Sequence, residues 1–236
     1  MKSVGSSVPQ TDVVRLVESF ARLDTASVSD ALDSIGVAGR LRGIAARVPG
    51  ARAAGTAYTV RYEPVDESGP RFRNAANYLD DVPAGSIVVI DNGGSAECTN
   101  WGSLLTVAAQ RFGVRGTVLH GSARDVAEIR NAGYPLFSTH VTMVSGKNRV
   151  QLAAIGDPIR IGDVDLRTGD IVVGDDNGVL AVPSELADEV LIRAQRVELT
   201  EQSIARAVAC GARLDEARER FGYATPWYDA GSAADE

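Results

Sequence analysis

Lysine is almost missing from this 236-residue chain; it occurs only at Lys2 and Lys147. Lys2 lies in a small, polar opening stretch and Lys147 in a Gly/Ser/Asn loop. Neither suits the desolvated amine that imine chemistry requires. Cysteine is equally scarce, and Cys98 and Cys210 form neither a disulfide framework nor a zinc-ligand spacing. No Lys/Arg cluster offsets the net charge of −7, and arginines gather at most as in "RFR" at 71–73. That argues against general nucleic-acid binding. No apolar run approaches membrane-spanning length, and the opening "MKSVGSSVPQTD" has no apolar signal core. The stretch "DNGGSAE" lacks the Gly-x-Gly turn that a nucleotide cofactor needs between a first strand and its helix. These absences predict a reduced, cytoplasmic protein with no membrane and no nucleic-acid partner.

What is present is ordinary for a soluble globular chain: 44% hydrophobic and 23% charged residues. No linker divides it. A single domain over 11–228 is expected, between a flexible leader at 1–10 and a flexible acidic tail at 229–236. "TDVVRLVESFARLDT" has helical spacing with Thr11 or Asp12 as N-cap, and "DTASVSDALDSIG" reads as a second helix capped by Thr25 or Ser27 and stopped by Gly36. From "ARAAGTAYTVRYEP" the pattern changes to strands. "AGSIVVIDNGG" (84–94) and "TGDIVVGDDNG" (168–178) echo each other, each an Ile-Val-Val strand and an Asp entering an Asn-Gly turn. After the first echo no strand returns. Residues 102–112 read as a helix with Leu104, Leu105, Val107 and Ala108 on its buried side. "GVRGTVLHG" is a strand, 124–132 a helix and "YPLFSTHVT" a strand, which predicts parallel pairing across 86–141. Short strands follow, with a hairpin turn at Gly162-Asp163, then a long helix over 184–210 ending at Gly211.

Chemistry-bearing residues gather at the carboxyl ends of the 86–91 and 116–120 strands, where α/β sheets bind ligands. Gly93, Gly94, Gly102 and Gly121 permit close backbone approach. Helix starts near Gly102 and Ser122 offer N–H groups to an anion. Arg124 is suited to grip a carboxylate with two prongs, and Asp125 to hold a hard divalent cation. Taken alone, an Arg-Asp pair at a helix start is more simply a surface ion pair with an acid favoured by the helix dipole. His120 and His140 read as core or loop histidines, and Cys98, beside Glu97, as a small buried thiol.

Context extends that reading. "WGSLLTVAAQRFGVRGTVLHGSARDVAEIRNAGYPLF" closely resembles the class II pyruvate aldolases acting on 4-hydroxy-4-methyl-2-oxoglutarate, a family that shares its fold with the regulators of ribonuclease E activity. "TASVSDALDSIG", "PAGSIVVID", "RTGDIVVGDDNGVLAVP" and "ERFGY" extend the likeness over most of the chain. Its most specific element is a Gly-x-x-Leu turn, Gly102–Leu105, followed by Gly-x-x-Arg-Asp, Gly121–Asp125.

The resemblance implies an α/β chain in the swivelling β/β/α fold, with a central mixed, barrel-like sheet flanked by helices. It implies a homotrimer or homohexamer with sites between subunits, and a lyase cleaving 4-hydroxy-2-oxo acids to pyruvate, with oxaloacetate decarboxylation as a companion. In that scheme Gly102, Ser103, Leu104 and Leu105 hold the substrate carboxylate, Arg124 contacts the pyruvate moiety, and Asp125 binds Mg²⁺ or Mn²⁺. A glutamate from the closing helix of a neighbouring subunit completes the site; counting back from Gly211 aligns Glu201 best and Glu198 second. Two departures stand out. Ser103 replaces the acid that commonly follows the turn glycine, and His120 replaces an Asp. Ser103 supplies neither charge nor a strong base; Glu97, on the adjoining loop, is a candidate to compensate. A non-catalytic ring that binds a ribonuclease or helicase is the alternative reading.

Overall fold

The computed structural model describes residues 10–65 and 78–228. The expected leader up to residue 9, the "RFR" run and the acidic tail lie outside the described residues. In chain order the elements are α1 (Gln10–Phe20), α2 (Thr25–Asp33), β1 (Ala45–Ala46), β2 (Ala53–Pro64), β3 (Ser86–Asp91), β4 (Thr99–Trp101) and α3 (Ser103–Arg111). Then come β5 (Gly116–Ala123), α4 (Val126–Asn131), β6 (Leu136–Val141), β7 (Val150–Ile155), β8 (Ile159–Ile161) and β9 (Val164–Leu166). The chain closes with β10 (Ile171–Asp175), β11 (Gly178–Val182), α5 (Ala187–Ala209) and α6 (Leu214–Arg220).

Among the described residues, nine strands form one mixed sheet in the order β1-β6-β5-β3-β2-β10-β11, with β4 added beside β5 and β7 beside β2. Strands β3, β5 and β6 run parallel, as the strand–helix alternation over 86–141 predicts, and β2, outside that stretch, joins them in parallel. Its outer strands β1 and β11 approach each other, so the sheet curls toward a barrel. The β8–β9 hairpin turns at Gly162-Asp163 and packs onto the concave side.

Both faces of this sheet are buried, which is why its strands read as unbroken apolar runs. On β3 the side chains alternate: Ile87 and Val89 face the inner core with Val118, Val172 and the hairpin, whereas Val88 and Ile90 face an outer core with Trp101, Leu119 and Ile129. A third cluster joins α1, α2 and α5 to β10 and β11 through Phe20, Val28, Leu32, Val190 and Ala194.

Three local expectations need correction. Helix α1 begins at Gln10, so Asp12 is an acid of its first turn rather than its cap. The cap of α2 is Asp24, whose carboxylate accepts the Ser27 N–H at 2.7 Å. Thr25 instead spends its N–H and hydroxyl on Asp175, at 2.9 and 2.7 Å, tying α2 to the end of β10. On α3 the buried residues are Thr106 and Ala109, with Leu105 and Ala108 half-buried, while Leu104 and Val107 are 80% and 66% exposed. Apolarity identified the helix but not which side faces inward, because two adjacent faces of α3 are apolar.

Candidate active site

The site forms where β4 and β5 end side by side. Trp101 is buried, stacks on Tyr134 and donates its indole N–H to Thr106 Oγ1 at 3.0 Å, which fixes the start of α3. Arg124 N–H donates to Trp101 O at 3.0 Å and so fastens the end of β5 against that start. Asp125 follows in a left-handed conformation, φ 55° and ψ 35°. Few side chains tolerate this region, although Asp is among the better suited.

That backbone turn decides where the carboxylate goes. Asp125 is the N-cap residue of α4 but makes no side-chain cap bond to it. Its Oδ2 reaches across to α3 and accepts the Ser103 N–H and the Ser103 hydroxyl, both at 3.0 Å. The acid is therefore held at the positive end of α3, by a serine hydroxyl that sets its direction. Arg124 Nε stands 3.5 Å from the same Oδ2. The terminal nitrogens of its guanidinium donate to no group among the described residues. Gly102 is required by closeness: a Cβ built there would lie 2.7 Å from Asp125 Oδ2 and 3.2 Å from Arg124 Nε.

Ser103 N–H is committed to Asp125, so it is not among the donors open to a ligand. The N–H groups of Leu104 and Leu105, one residue further into α3, meet no acceptor among the described residues. Beside them lies a cavity of about 180 Å³ between the α3 start and the loop after β6, lined by Asn100, Gly102, Leu104, Leu105, Arg124 and Lys147 among others. Larger cavities, of about 410, 400, 460 and 230 Å³, lie elsewhere and do not include Arg124; Asp125 lines none of them, and stands beside the smaller one through its neighbour Arg124. The smaller one is the better candidate because open N–H donors and the Arg124 guanidinium converge on it.

The neighbouring strand end carries a histidine–aspartate pair. His120 Nδ1 lies 2.8 Å from Asp91 Oδ1, which also accepts the Gly93 N–H at 2.9 Å. Burial pushes the Asp91 carboxyl up, but bonds from His120 and Gly93 and the charges of His120 and Arg61 outweigh it and leave it below the usual range. Asp175 repeats the same turn on β10, accepting the Asn177 N–H at 2.8 Å. The sequence echo is thus one Asp-closed turn used twice. Where the helix after β5 was expected to start near Ser122, that residue is buried inside β5, and its hydroxyl donates to Ser95 O at 2.9 Å.

Other candidates fall away from the centre. Cys98 is buried, and burial pushes its thiol up, leaving it protonated and inert. His140 and Glu97 are exposed, and neither side chain bonds to Arg124 or Asp125. Glu201 lies on α5 beside a different cavity with Asp30, Asp33, Tyr223 and Trp227. Partial desolvation, with the charges of Asp24 and Asp30, pushes its carboxyl up. Within one chain the structure therefore gathers Gly102, Ser103, Leu104, Leu105, Arg124 and Asp125 and leaves Glu201 apart. Asn100 and Lys147 line the same cavity, although the sequence marked neither as a site residue.

Among the described residues, no three His, Cys, Asp or Glu side chains converge on a point that would hold a metal ion. An all-protein cage is not what Mg²⁺ or Mn²⁺ requires. Hard cations of that size keep waters and take one or two carboxylates plus substrate oxygens. Asp125 Oδ1, opposite the oxygen held by Ser103, has no partner among the described residues and fits that role.

Residues 25–181 match the family described as RraA-like, Aldolase/RraA. The chain is 44% identical over 212 residues to Protein DlpA of Legionella pneumophila, covering 90% of this chain but only 34% of that protein's length. It is 26% identical over 196 residues to the "Putative 4-hydroxy-4-methyl-2-oxoglutarate aldolase" of Halalkalibacterium halodurans, covering 83% and 90% of the two chains. An uncharacterized protein from Pseudomonas syringae pv. tomato superposes with a TM-score of 0.81 at 44% identity, over 87% of this chain and 97% of that one. Streptomyces coelicolor RraAS2, described as an unusual member of the RNase ES inhibitor RraA protein family, gives 0.73 at 29% identity, over 80% and 95%.

Proposed function

The chain belongs to the RraA-like, Aldolase/RraA family, and on that premise we propose that it is a divalent-metal-dependent lyase releasing pyruvate from 4-hydroxy-2-oxo acids. One observation carries the reading. Asp125 is turned by a left-handed backbone onto the start of α3 and oriented by Ser103, beside the terminal guanidinium nitrogens of Arg124, which meet no acceptor among the described residues, and the open N–H groups of Leu104 and Leu105. A non-catalytic ring has no need of a strained carboxylate aimed in this way. Members named as ribonuclease inhibitors keep the regulator as the alternative; it predicts that Asp125 is dispensable.

Asp125 would hold Mg²⁺ or Mn²⁺, which supplies Lewis acidity toward the 2-oxo acid. The N–H groups of Leu104 and Leu105 bind the carboxylate at a helix start. Arg124 donates to the oxygen on which negative charge develops. In the reaction the C3–C4 bond breaks, its electron pair passes into the enolate of the pyruvate half, and the C4 hydroxyl loses its proton to become a carbonyl. The enolate then takes a proton at C3. Loss of CO₂ from oxaloacetate yields the same enolate. Ser103 is no base at neutral pH, so the proton is handled by another group. A carboxylate such as Glu201, brought by a second copy of the chain, is the kind of group that role needs.

The deciding experiment measures pyruvate release from a panel of 4-hydroxy-2-oxo acids and from oxaloacetate, with Mg²⁺ or with EDTA, for wild type and Asp125→Ala. Loss of turnover in the variant and in EDTA is expected. Full activity in either condition would sink the metal-dependent lyase.

A further inference from the structure

The charged walls of the cavity beside Arg124 are cations alone. In a chain with 31 acids against 24 lysines and arginines, neither an aspartate nor a glutamate lines it, and its charged lining residues are Arg124 and Lys147. Its large side chains are otherwise apolar: Trp101, Leu104, Leu105 and Val150. Lys147 is exposed and sits at the rim. Its backbone N–H donates to Ser145 Oγ at 3.2 Å, while its ammonium meets no acceptor among the described residues. The turn that carries it is fastened to the site. Thr99 N–H donates to Val144 O at 2.9 Å, and the N–H groups of Arg149 and Val150 both donate to Gly146 O at 3.0 Å. Gly146 lies so close to β4 that a Cβ there would be 2.3 Å from Thr99 O. A second positive charge is thereby held at the cavity mouth by a turn that has little freedom to leave.

We infer that Lys147 is a specificity-determining residue that reads a second carboxylate, at the far end of the substrate. This rests on the lyase reading above and narrows its substrates to dicarboxylic 4-hydroxy-2-oxo acids. Arg124 and the N–H groups of Leu104 and Leu105 take the 2-oxo acid end, which leaves Lys147 as the charge that the other end meets. A monocarboxylic acid leaves this ammonium without a partner, and a substrate with a cationic end meets like charge. A point charge on a flexible stem suits the task, because it follows a carboxylate without demanding one orientation. Lys147 takes no part in bond breaking. It acts on the half of the molecule that leaves as an oxo acid. Since the pair forms at an exposed rim, its effect is that of a surface ion pair, about two- to fivefold in binding, and it weakens as salt screens it.

The test measures kcat/KM for pyruvate release from 4-hydroxy-2-oxoglutarate and from 4-hydroxy-2-oxopentanoate, for wild type, Lys147→Met and Lys147→Arg. Wild type should prefer the dicarboxylic acid, and the ratio of the two values should shrink as salt is raised. That ratio should fall about two- to fivefold in Lys147→Met and hold in Lys147→Arg. A wild type without the preference, a ratio indifferent to salt, a methionine variant that keeps the ratio, or an arginine variant that loses it would overturn the assignment. If wild type releases pyruvate from neither acid, the lyase reading fails by itself. Calorimetry with 2-oxoglutarate and 2-oxopentanoate in Mg²⁺ then decides Lys147 separately, since neither probe has the hydroxyl that cleavage needs. Tighter binding of 2-oxoglutarate by wild type but not by Lys147→Met supports the assignment, and equal or absent binding overturns it.

Discussion

Asp125 and Arg124 are adjacent in sequence, yet their charges serve different ends. The aspartate bonds across to α3 through Ser103 and pairs with Arg124 Nε at 3.5 Å, while the terminal nitrogens of the guanidinium meet no acceptor among the described residues. If Arg124 reads a planar carboxyl or enolate edge, lysine keeps the charge but loses the fork. Arg124→Lys should then lower kcat/KM for pyruvate release by about tenfold or more. Steady-state kinetics showing an equivalent lysine would reduce Arg124 to a general positive charge. Gly102 gives a second prediction at this scale. Its backbone is extended, so alanine brings no strain of its own, but the new methyl would meet Asp125 Oδ2 at 2.7 Å. The side chain, not the backbone, must move. Gly102→Ala should melt within a few degrees of wild type, a shift of about 1 kcal/mol at most, while its metal-dependent turnover collapses. Intact turnover would mean that the observed position of Asp125 is not the working one.

Among the elements, the junction of α2 with β10 rests on one buried carboxylate. Asp175 accepts from Thr25 N–H, Thr25 hydroxyl and Asn177 N–H. Burial pushes its carboxyl up, but these bonds and the charge of Arg52 outweigh it and hold it below the ordinary value. A carboxyl whose folded pKa is depressed contributes stability above its unfolded pKa and loses that contribution as pH falls through the folded one. Thermal stability should thus begin to decline below about pH 4, the unfolded aspartate value. Asp175→Asn must place an amide N–H against either the Thr25 N–H or the pair of donors on Oδ1. It should cost on the order of 2 kcal/mol at neutral pH and flatten that acid limb. A melting series from pH 7 to pH 3 checks both parts; an unchanged limb would assign the decline to other acids such as Asp91.

On the scale of the whole molecule, α3 presents Leu104 and Val107 to solvent, and Met143 after β6 is 90% exposed. Glu201 meanwhile sits beside a separate cavity on α5. An assembly that covers the first surface and delivers Glu201 to Asp125 would account for both, and we propose sites shared between copies. Glu201→Gln should then lower activity strongly without changing the oligomeric mass. Mixing the inactive Asp125→Ala and Glu201→Gln proteins under subunit exchange should restore part of the activity, because some interfaces pair two intact residues. No recovery despite measured exchange would count against a shared site, and a fully active Glu201→Gln would remove that residue from it.

The amino-acid sequence by itself determined most of the elements and their order, although it did not mark the short strand β4. Strand runs such as "SIVVI" are apolar at every position because the sheet is buried on both faces, and the β3–β5–β6 parallel set follows from strands separated by helices. Local signals marked a helix start at Gly102 and a strand end at Arg124–Asp125, and the family resemblance joined them into one candidate site. Tertiary structure decided the rest. The outward turn of Leu104 and Val107 depends on which apolar face of α3 meets Ile129 and Tyr134, a choice that periodicity leaves open. The cap of α2 passed to Asp24 because Asp175, 150 residues away, claims Thr25. All three residues of β4 line the cavity because that strand is laid beside the end of β5. Such pairings join residues remote in sequence, and no local pattern encodes them.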